Sequence, residues 1–263
     1  MSLSAQPFRL SIIWLFFLYS PSVFTQTIDS VDPHPPSRVN AGLGNSIFGN
    51  FLEFQYRPYS HDLLNSDKGY VPFSESGKFN TTVRYYQETQ RLEISKFSVI
   101  KLMSLTPYNS LTDTKSYGLD LGLESVTVKD KRKLYDSDKD DKKRITPING
   151  DLLAGYTFEN YFGSNRNPLI ISLLGGMKTQ IHPHFNEFLR VGPQAVLNVL
   201  YDLGIIKVQF ISSYQYYTIL KNANDFSNSL KFRFSIDLKQ EIRLELNKSR
   251  FDQELNLSYL FMF

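Results

Sequence analysis

Cysteine is absent from the 263 residues, tryptophan occurs once and histidine four times. Without Cys there can be no disulfide scaffold, no thiolate zinc site, no Cys nucleophile and no lipidated Cys at a processed N-terminus. Neither sign of charge dominates, because 29 basic residues against 26 acidic ones leave a formal charge of +3. The Lys and Arg are interleaved with acids, so the chain offers no basic face for phosphates and a nucleic-acid partner is not expected. Helical periodicity is nearly missing. What the sequence has in quantity is aromatic: 21 Phe and 16 Tyr, too apolar a composition for disorder and enough for one large core or two modest ones. Composition alone names no enzyme.

The only sustained apolar run is residues 10–19 (LSIIWLFFLY), which follows Arg9 and precedes Ser20, Pro21 and Ser22. This is the pattern of a secretory signal peptide. As a helix ten residues reach about 15 Å, half the hydrocarbon core, which disfavours a spanning helix. Cleavage is expected near Ser22 or Thr25, with an uncleaved anchor as the alternative because Phe24 sits where a small residue is usual. The expected organisation is a signal peptide over residues 1–25, a Pro-rich periplasmic lead-in over 26–37 and a β-barrel domain over 38–263.

Beyond the lead-in the dominant pattern is alternation with period two, in segments of about ten residues separated by turn residues. In 230–238 (LKFRFSIDL), Leu230, Phe232, Phe234, Ile236 and Leu238 share one face, and Lys231, Arg233, Ser235 and Asp237 the other. Half-buried strands of a soluble sandwich alternate in the same way. Three features separate the two cases. The segments have the 9 to 11 residues of a tilted membrane strand rather than the 5 or 6 usual in soluble sheets. Tyr and Phe crowd the segment ends, as at Tyr85 and Tyr86, 156–162 and 214–217, which suits interfacial girdles. The chain ends on an alternating aromatic strand with Tyr259, Phe261 and Phe263 on one face, resembling the C-terminal signal read by the outer-membrane barrel assembly machinery.

The expectation is an all-β, antiparallel transmembrane β-barrel of about 12 strands, at 38–44, 49–57, 79–88, 91–103, 116–128, 151–161, 169–179, 187–201, 205–220, 230–239, 240–247 and 251–263. An open edge cannot be satisfied in lipid, so the first strand should pair with the last. Gly42, Gly44, Gly118, Gly122, Gly155, Gly175 and Gly176 are expected to relieve crowding or permit bends. From a periplasmic N-terminus, 202–204 and the bend at Lys239 and Gln240 are inner turns, whereas the charged run 129–144, 181–186 and 221–229 face outward. One long connection, 58–78, falls on the periplasmic side.

That connection carries a family resemblance. The stretch 54–73 (FQYRPYSHDLLNSDKGYVPF), with 37–44 (SRVNAGLG) before it and 91–107 (RLEISKFSVIKLMSLTP) and 117–124 (YGLDLGLE) after it, resembles the C-terminal barrel domain of unknown function found, in many Gram-negative proteins, after a periplasmic domain similar to the Lnb-type lipoprotein N-acyltransferases. Its most specific part is Arg57, Pro58, His61, Asp62, Leu63, Leu64, Lys68, Gly69 and Tyr70. The signal peptide here runs into the barrel within about a dozen residues, so no acyltransferase residues carry over. The resemblance implies an outer-membrane barrel whose periplasmic, acyltransferase-like partner is absent or encoded separately.

Candidate chemistry is sparse. Adjacent His61 and Asp62 could orient a proton transfer, but neighbouring residues point apart and no nucleophile accompanies them, so docking or plugging is the expected role. Asp67, Lys68 and Gly69 form a turn signal. His182, His184 and Glu187 have a spacing that could hold a transition metal, against the simpler reading of a loop at a strand start. Asp136, Asp138, Asp140 and Asp141 lack the Gly and closing Glu of a calcium loop, and read as a solvated outer loop near lipopolysaccharide phosphates. Lys231, Arg233, Asp237, Glu241, Arg243 and Glu245 are expected to face the lumen and pair there. No catalytic residue, metal or cofactor is expected. The expected function is a monomeric anchor or platform for a periplasmic partner, contacted through Arg57, His61, Asp62, Lys68 and Tyr70. The alternatives are a lipid-modifying barrel enzyme and a narrow transport pore.

Overall fold

The computed structural model describes residues 33–129, 142–162, 167–185, 188–217 and 223–263. The proposed signal peptide and most of the lead-in lie outside the described residues. Fifteen strands follow one another: β1 (Arg38–Ser46), β2 (Gly49–Arg57), β3 (Tyr59–His61), β4 (Ser74–Tyr86), β5 (Arg91–Ser104), β6 (Ser116–Glu124), β7 (Val126–Lys129), β8 (Lys142–Ile145), β9 (Ile148–Phe162), β10 (Asn167–Ile181), β11 (Leu189–Asp202), β12 (Ile206–Tyr217), β13 (Ala223–Ser235), β14 (Gln240–Ser249) and β15 (Gln253–Met262). Every pairing among them is antiparallel, and the sheet closes because β1 pairs with β15, from Arg38↔Met262 to Asn45↔Leu255, while β2 pairs with β4.

The wall has twelve staves. Pro58 has no N–H to give the ladder, so β2 and β3 are one stave interrupted there, with β3 continuing along β4 at Tyr59↔Lys78. β7 and β8 form a separate two-stranded sheet. The start of β1 at Arg38 and the last residue, Phe263, lie at one mouth, here the terminal end, where the Phe263 N–H donates to the Ser37 carbonyl at 2.9 Å; the opposite mouth is the distal end.

The alternation of the sequence becomes an inverted burial pattern. Leu43, Leu52, Leu92 and Leu257 are exposed on the outside, Leu43 by 63% and Leu92 by 70%, whereas Lys207, Gln180, Asn198 and Arg38 are buried. Outward aromatics collect at both ends. Phe54, Tyr56, Tyr117, Tyr156, Tyr259 and Phe261 lie toward the terminal end, and Tyr85, Phe188, Tyr214, Tyr216 and Phe226 toward the distal one, all exposed. A surface of this kind is stable only where its apolar belt meets lipid and its rings meet the interfaces. The fold is therefore a closed, antiparallel, transmembrane-type β-barrel, as the alternation predicts.

Close approach of neighbouring strands demands glycine at particular places. A Cβ on Gly176 would stand 1.8 Å from the Leu152 carbonyl oxygen, and one on Gly192 would stand 1.9 Å from that of Tyr216. Gly175, expected to relieve crowding, instead has nothing within 4 Å.

Three expectations need correcting. The tenth stave begins at Ala223, within the supposed outer loop 221–229, and stops at Ser235. Ile236, Asp237 and Leu238 fall in the turn, where Asp237 Oδ1 accepts a bond from the Lys239 N–H at 2.7 Å instead of facing the lumen. The segment expected as one strand over 116–128 leaves the wall after Glu124, where the Ser125 N–H turns to the Ser95 carbonyl. The ends of the charged run, Lys129 and Lys142 to Arg144, thus belong to the β7–β8 pair, which carries Arg144 inward, while the Asp cluster lies outside the described residues.

The lipid-facing reading makes a quantitative claim at Leu257, which lies between Leu43 and Leu244 on the outer face. Leu257→Arg should cost about 2 to 4 kcal/mol in unfolding measured in lipid vesicles. A neutral or stabilising effect would place that face in water.

Candidate functional site

Pieces of the chain fold into the interior at both ends, and the physical reason lies in the charges that the strand register sets side by side. At the terminal end Arg38 stands directly opposite Arg57, and Arg233 directly opposite Arg243. Like charges so placed destabilise a sheet, more so where water is scarce. The connection between β3 and β4 resolves the conflict by folding into the mouth and bringing Asp62 to three of these guanidiniums. Asp62 Oδ2 lies 2.5 Å from Arg38, 2.7 Å from Arg243 and 3.3 Å from Arg57. Arg243 adds a second contact, Nη2 to Oδ1 at 3.2 Å. Burial alone would push the Asp62 carboxyl up, but Arg243, Arg38 and Arg57 outweigh it and hold it well below the usual carboxylate range.

The same carboxylate shapes the insert. Its Oδ1 accepts from the backbone N–H groups of Leu64 and Asn65, both at 3.1 Å, while Asn65 Oδ1 accepts from the Asp62 N–H at 3.0 Å. This reciprocal turn presents Leu63 and Leu64 to Ile170, Leu174 and Leu200, apolar residues that point into the barrel and bury with Phe73 and Leu105. One side of the insert is therefore held by charge and the other by packing. Lys207, fully buried, donates to the Asn65 carbonyl at 2.9 Å and to Asp67 at 3.0 Å.

A latch lies over the insert. Residues 33–37 run across it, with the Ser60 N–H donating to the Pro36 carbonyl at 2.9 Å and the Tyr70 hydroxyl to the His34 carbonyl at 2.8 Å. His34 Nε2 and His61 Nδ1 share a hydrogen bond of 2.9 Å, and both rings stack on Tyr70. Gly69, in the expected turn, has φ of 75° and lies so close to Pro33 that a Cβ would come within 2.7 Å of it.

The distal end mirrors this with the signs exchanged. Glu53, Glu93, Asp252 and Glu254 line the wall, and the β7–β8 hairpin supplies Arg144, which lies 2.6 Å from Glu93, 2.8 Å from Glu254 and 3.5 Å from Asp252. Arg84 completes the set at 2.7 Å from Glu53 and 2.8 Å from Glu254. A polar, partly open cavity of about 440 Å³ runs from Arg57 toward the distal rim, where Arg144, Asp252 and Glu254 line it. Lys96 and Lys178 share Glu124 there at 3.4 Å each, and Lys231 faces Glu245 at 3.6 Å.

The structure brings Arg57, His61, Asp62 and Tyr70 together at the terminal mouth. His61 and Asp62 are buried and engaged, whereas Lys68 remains exposed. The expected lumen set of Lys231, Arg233, Glu241, Arg243 and Glu245 faces inward, without Asp237. His182 and His184 are joined by a bond from the His184 N–H to the His182 ring at 3.0 Å; Glu187 lies outside the described residues. Among the described residues no group of three or more His, Asp or Glu is placed to hold a metal. Sequence reasoning missed Arg38, Asn65, Lys207, Arg84 and Arg144. Arg38, Arg84 and Lys207 could have been found from their registers opposite Arg57, Glu53 and Asp202, but the contacts of Asn65 and Arg144, and those of Lys207 with the insert, are fixed only by the tertiary fold.

No curated protein matches the chain. Solved structures with similar folds include the KdgM porin in complex with disordered oligogalacturonate, at 11% identity and a TM-score of 0.46, covering 86% of this chain and 99% of that one. Another is the COG4313 outer membrane channel from Pseudomonas putida F1, at 10% identity and 0.48, covering 90% and 98%. The CymD monoaromatic hydrocarbon channel matches at 9% identity and 0.34, covering 89% of each chain. A family model described as a domain of unknown function, DUF7840, matches residues 31–261, and the chain belongs to that family.

Proposed function

We propose that this chain is a narrow outer-membrane channel for small polar solutes, held shut at its periplasmic mouth by the Asp62 insert. The observation that carries this reading is the pair of closures, each seated by charge against a wall of opposite sign, around a polar cavity. A barrel that only anchors needs a filled interior, not one kept hollow between two inserts. On this reading the terminal end faces the periplasm and the β7–β8 hairpin the exterior. A second reading, a platform for a periplasmic acyltransferase-like partner, is supported by the β9–β10 hairpin. There β6 pairs with β9 only as far as Gly155, and Tyr161 and Phe162 stand exposed beyond it; Lys68 and Tyr70 at the mouth would add to that contact.

Purified protein in planar bilayers tests the channel. Removing one partner of a buried ion pair costs about 3 to 5 kcal/mol, so Asp62→Ala should raise the open probability by a factor on the order of a hundred over the parent. Absence of conductance from both proteins would overturn the reading and leave the platform, which predicts a co-purifying partner lost on changing Tyr161 and Phe162 to Ser.

The latch should also respond to pH. Burial lowers the His34 pKa, as do the neighbouring His61 and Arg38, against the Pro35 carbonyl and Asp62, which raise it. Asp67, Lys207 and Tyr70 complete the charged and titratable surroundings. The seated imidazole therefore binds fewer protons than the released one, whose ordinary pKa is about 6.5. Seating is strongest above that value and is lost progressively as pH falls through it. The protection factor of the Ser60 amide, its exchange rate taken relative to that of an unstructured amide at the same pH, should fall between pH 7 and 5, and His34→Phe should flatten the dependence; an unchanged profile would remove His34 from the latch.

A further inference from the structure

The arginines that seat Asp62 form a receptor whose tenant is a side chain of the same protein. We propose that Arg38, Arg57, Arg233, Arg243 and Lys207 are a binding site for small organic carboxylates, that Asp62 is its resident stand-in, and that the withdrawn insert leaves an anion-selective mouth. The inference rests on the channel reading and names the class of solute it would carry.

Three observations support it. The first is geometry. Arg243 meets both carboxylate oxygens of Asp62, Nη1 to Oδ2 at 2.7 Å and Nη2 to Oδ1 at 3.2 Å, a fork matched to a planar two-oxygen group. Arg38 and Arg57, on the nearby β1 and β2, converge on Oδ2 as well. The second is charge. The wall contributes five cations, and the acids of the wall paired with them are Glu241, on Arg243 and Arg233, and Asp202, on Lys207. The wall alone thus carries five minus two, or +3, and the insert's Asp62 and Asp67 reduce this to +1. Withdrawal uncovers positive charge where a solute must pass, and field focused in a low-dielectric mouth concentrates anions. The third is preorganisation. Arg243 and Arg233 are held from the wall by Glu241, at 2.7 and 3.6 Å, and Arg233 also donates to the Gly204 carbonyl at 2.9 Å, so this part of the site keeps its arrangement when its tenant leaves. The retained Glu241, within hydrogen-bonding distance of Arg243 at 2.7 Å, favours a singly charged head over a polyanion.

The test uses the full chain carrying Asp62→Ala, in planar bilayers under a potassium chloride gradient. The reversal potential should show chloride preferred over potassium by at least threefold. Sodium acetate should block the chloride current at concentrations where sodium phosphate does not, and adding Arg243→Gln should raise the half-blocking acetate concentration tenfold or more. Cation selectivity, stronger block by phosphate, or block indifferent to Arg243→Gln would each overturn the inference while leaving the channel standing. If no variant conducts, the channel reading fails, and calorimetric titration of acetate into detergent-solubilised Asp62→Ala decides the site by itself: binding lost with Arg243→Gln supports it, and no binding overturns it. Asp62→Asn keeps the turn's acceptor while removing the charge, and stands in where Asp62→Ala does not fold.

Discussion

Two pairs of arginines facing each other across neighbouring strands are the constraint on which the rest of this barrel depends. Arg38 against Arg57, and Arg233 against Arg243, are positions where a sheet should fail. They are tolerable because Asp62 of the insert meets Arg38, Arg57 and Arg243, while Glu241 of the wall meets Arg233 and Arg243. Once Asp62 is committed there, much follows from it. Its backbone turn fixes Leu63 and Leu64, these cover inward Ile170, Leu174 and Leu200, and the free end of the insert meets Lys207 and the His34 latch. A buried ion pair is weak support for stability by itself, since replacing it with apolar groups is often neutral. Its use here is specificity: it decides where the connection goes.

The distal end applies the same physics with reversed sign, an acidic wall closed by Arg144 of a folded-in hairpin. Each closure is complementary to its own mouth and mismatched to the other, so the barrel interior has a polarity along its axis. Between the closures the cavity lining pairs its charges locally, Lys96 and Lys178 with Glu124 and Lys231 with Glu245. Uncompensated charge therefore becomes available only at the ends, when an insert moves. In the proposed channel, regulation and solute preference meet in the same residues.

The wall was readable because strand physics is local. Period-two alternation fixes which side chain faces lipid, and the β2 range 49–57 and the start of β5 at Arg91 are where turn chemistry and alternation place them. Errors arose where a face changes solvent without changing pattern. Ile236 and Leu238 continue the apolar alternation of β13 past its end at Ser235, and nothing local distinguishes an exposed turn from lipid-facing strand. Val126 and Val128 likewise continue the rhythm of β6 after the chain has left the wall. The resemblance drew attention to His61 and Asp62, but their burial inside the mouth belongs to the tertiary fold.

By itself, then, the sequence determined the solvent of each face, the number of staves and the need to close, because these follow from the alternation of single side chains and from the hydrogen-bonding demand of backbone in lipid. Only the tertiary structure decided that the 58–78 connection turns inward, that Leu63 and Leu64 pack on Ile170, Leu174 and Leu200 of β10 and β11, and that Asp62 answers arginines up to 181 residues away. Those outcomes depend on which charges closure brings within a few ångströms of one another, a distance that no spacing along the chain encodes.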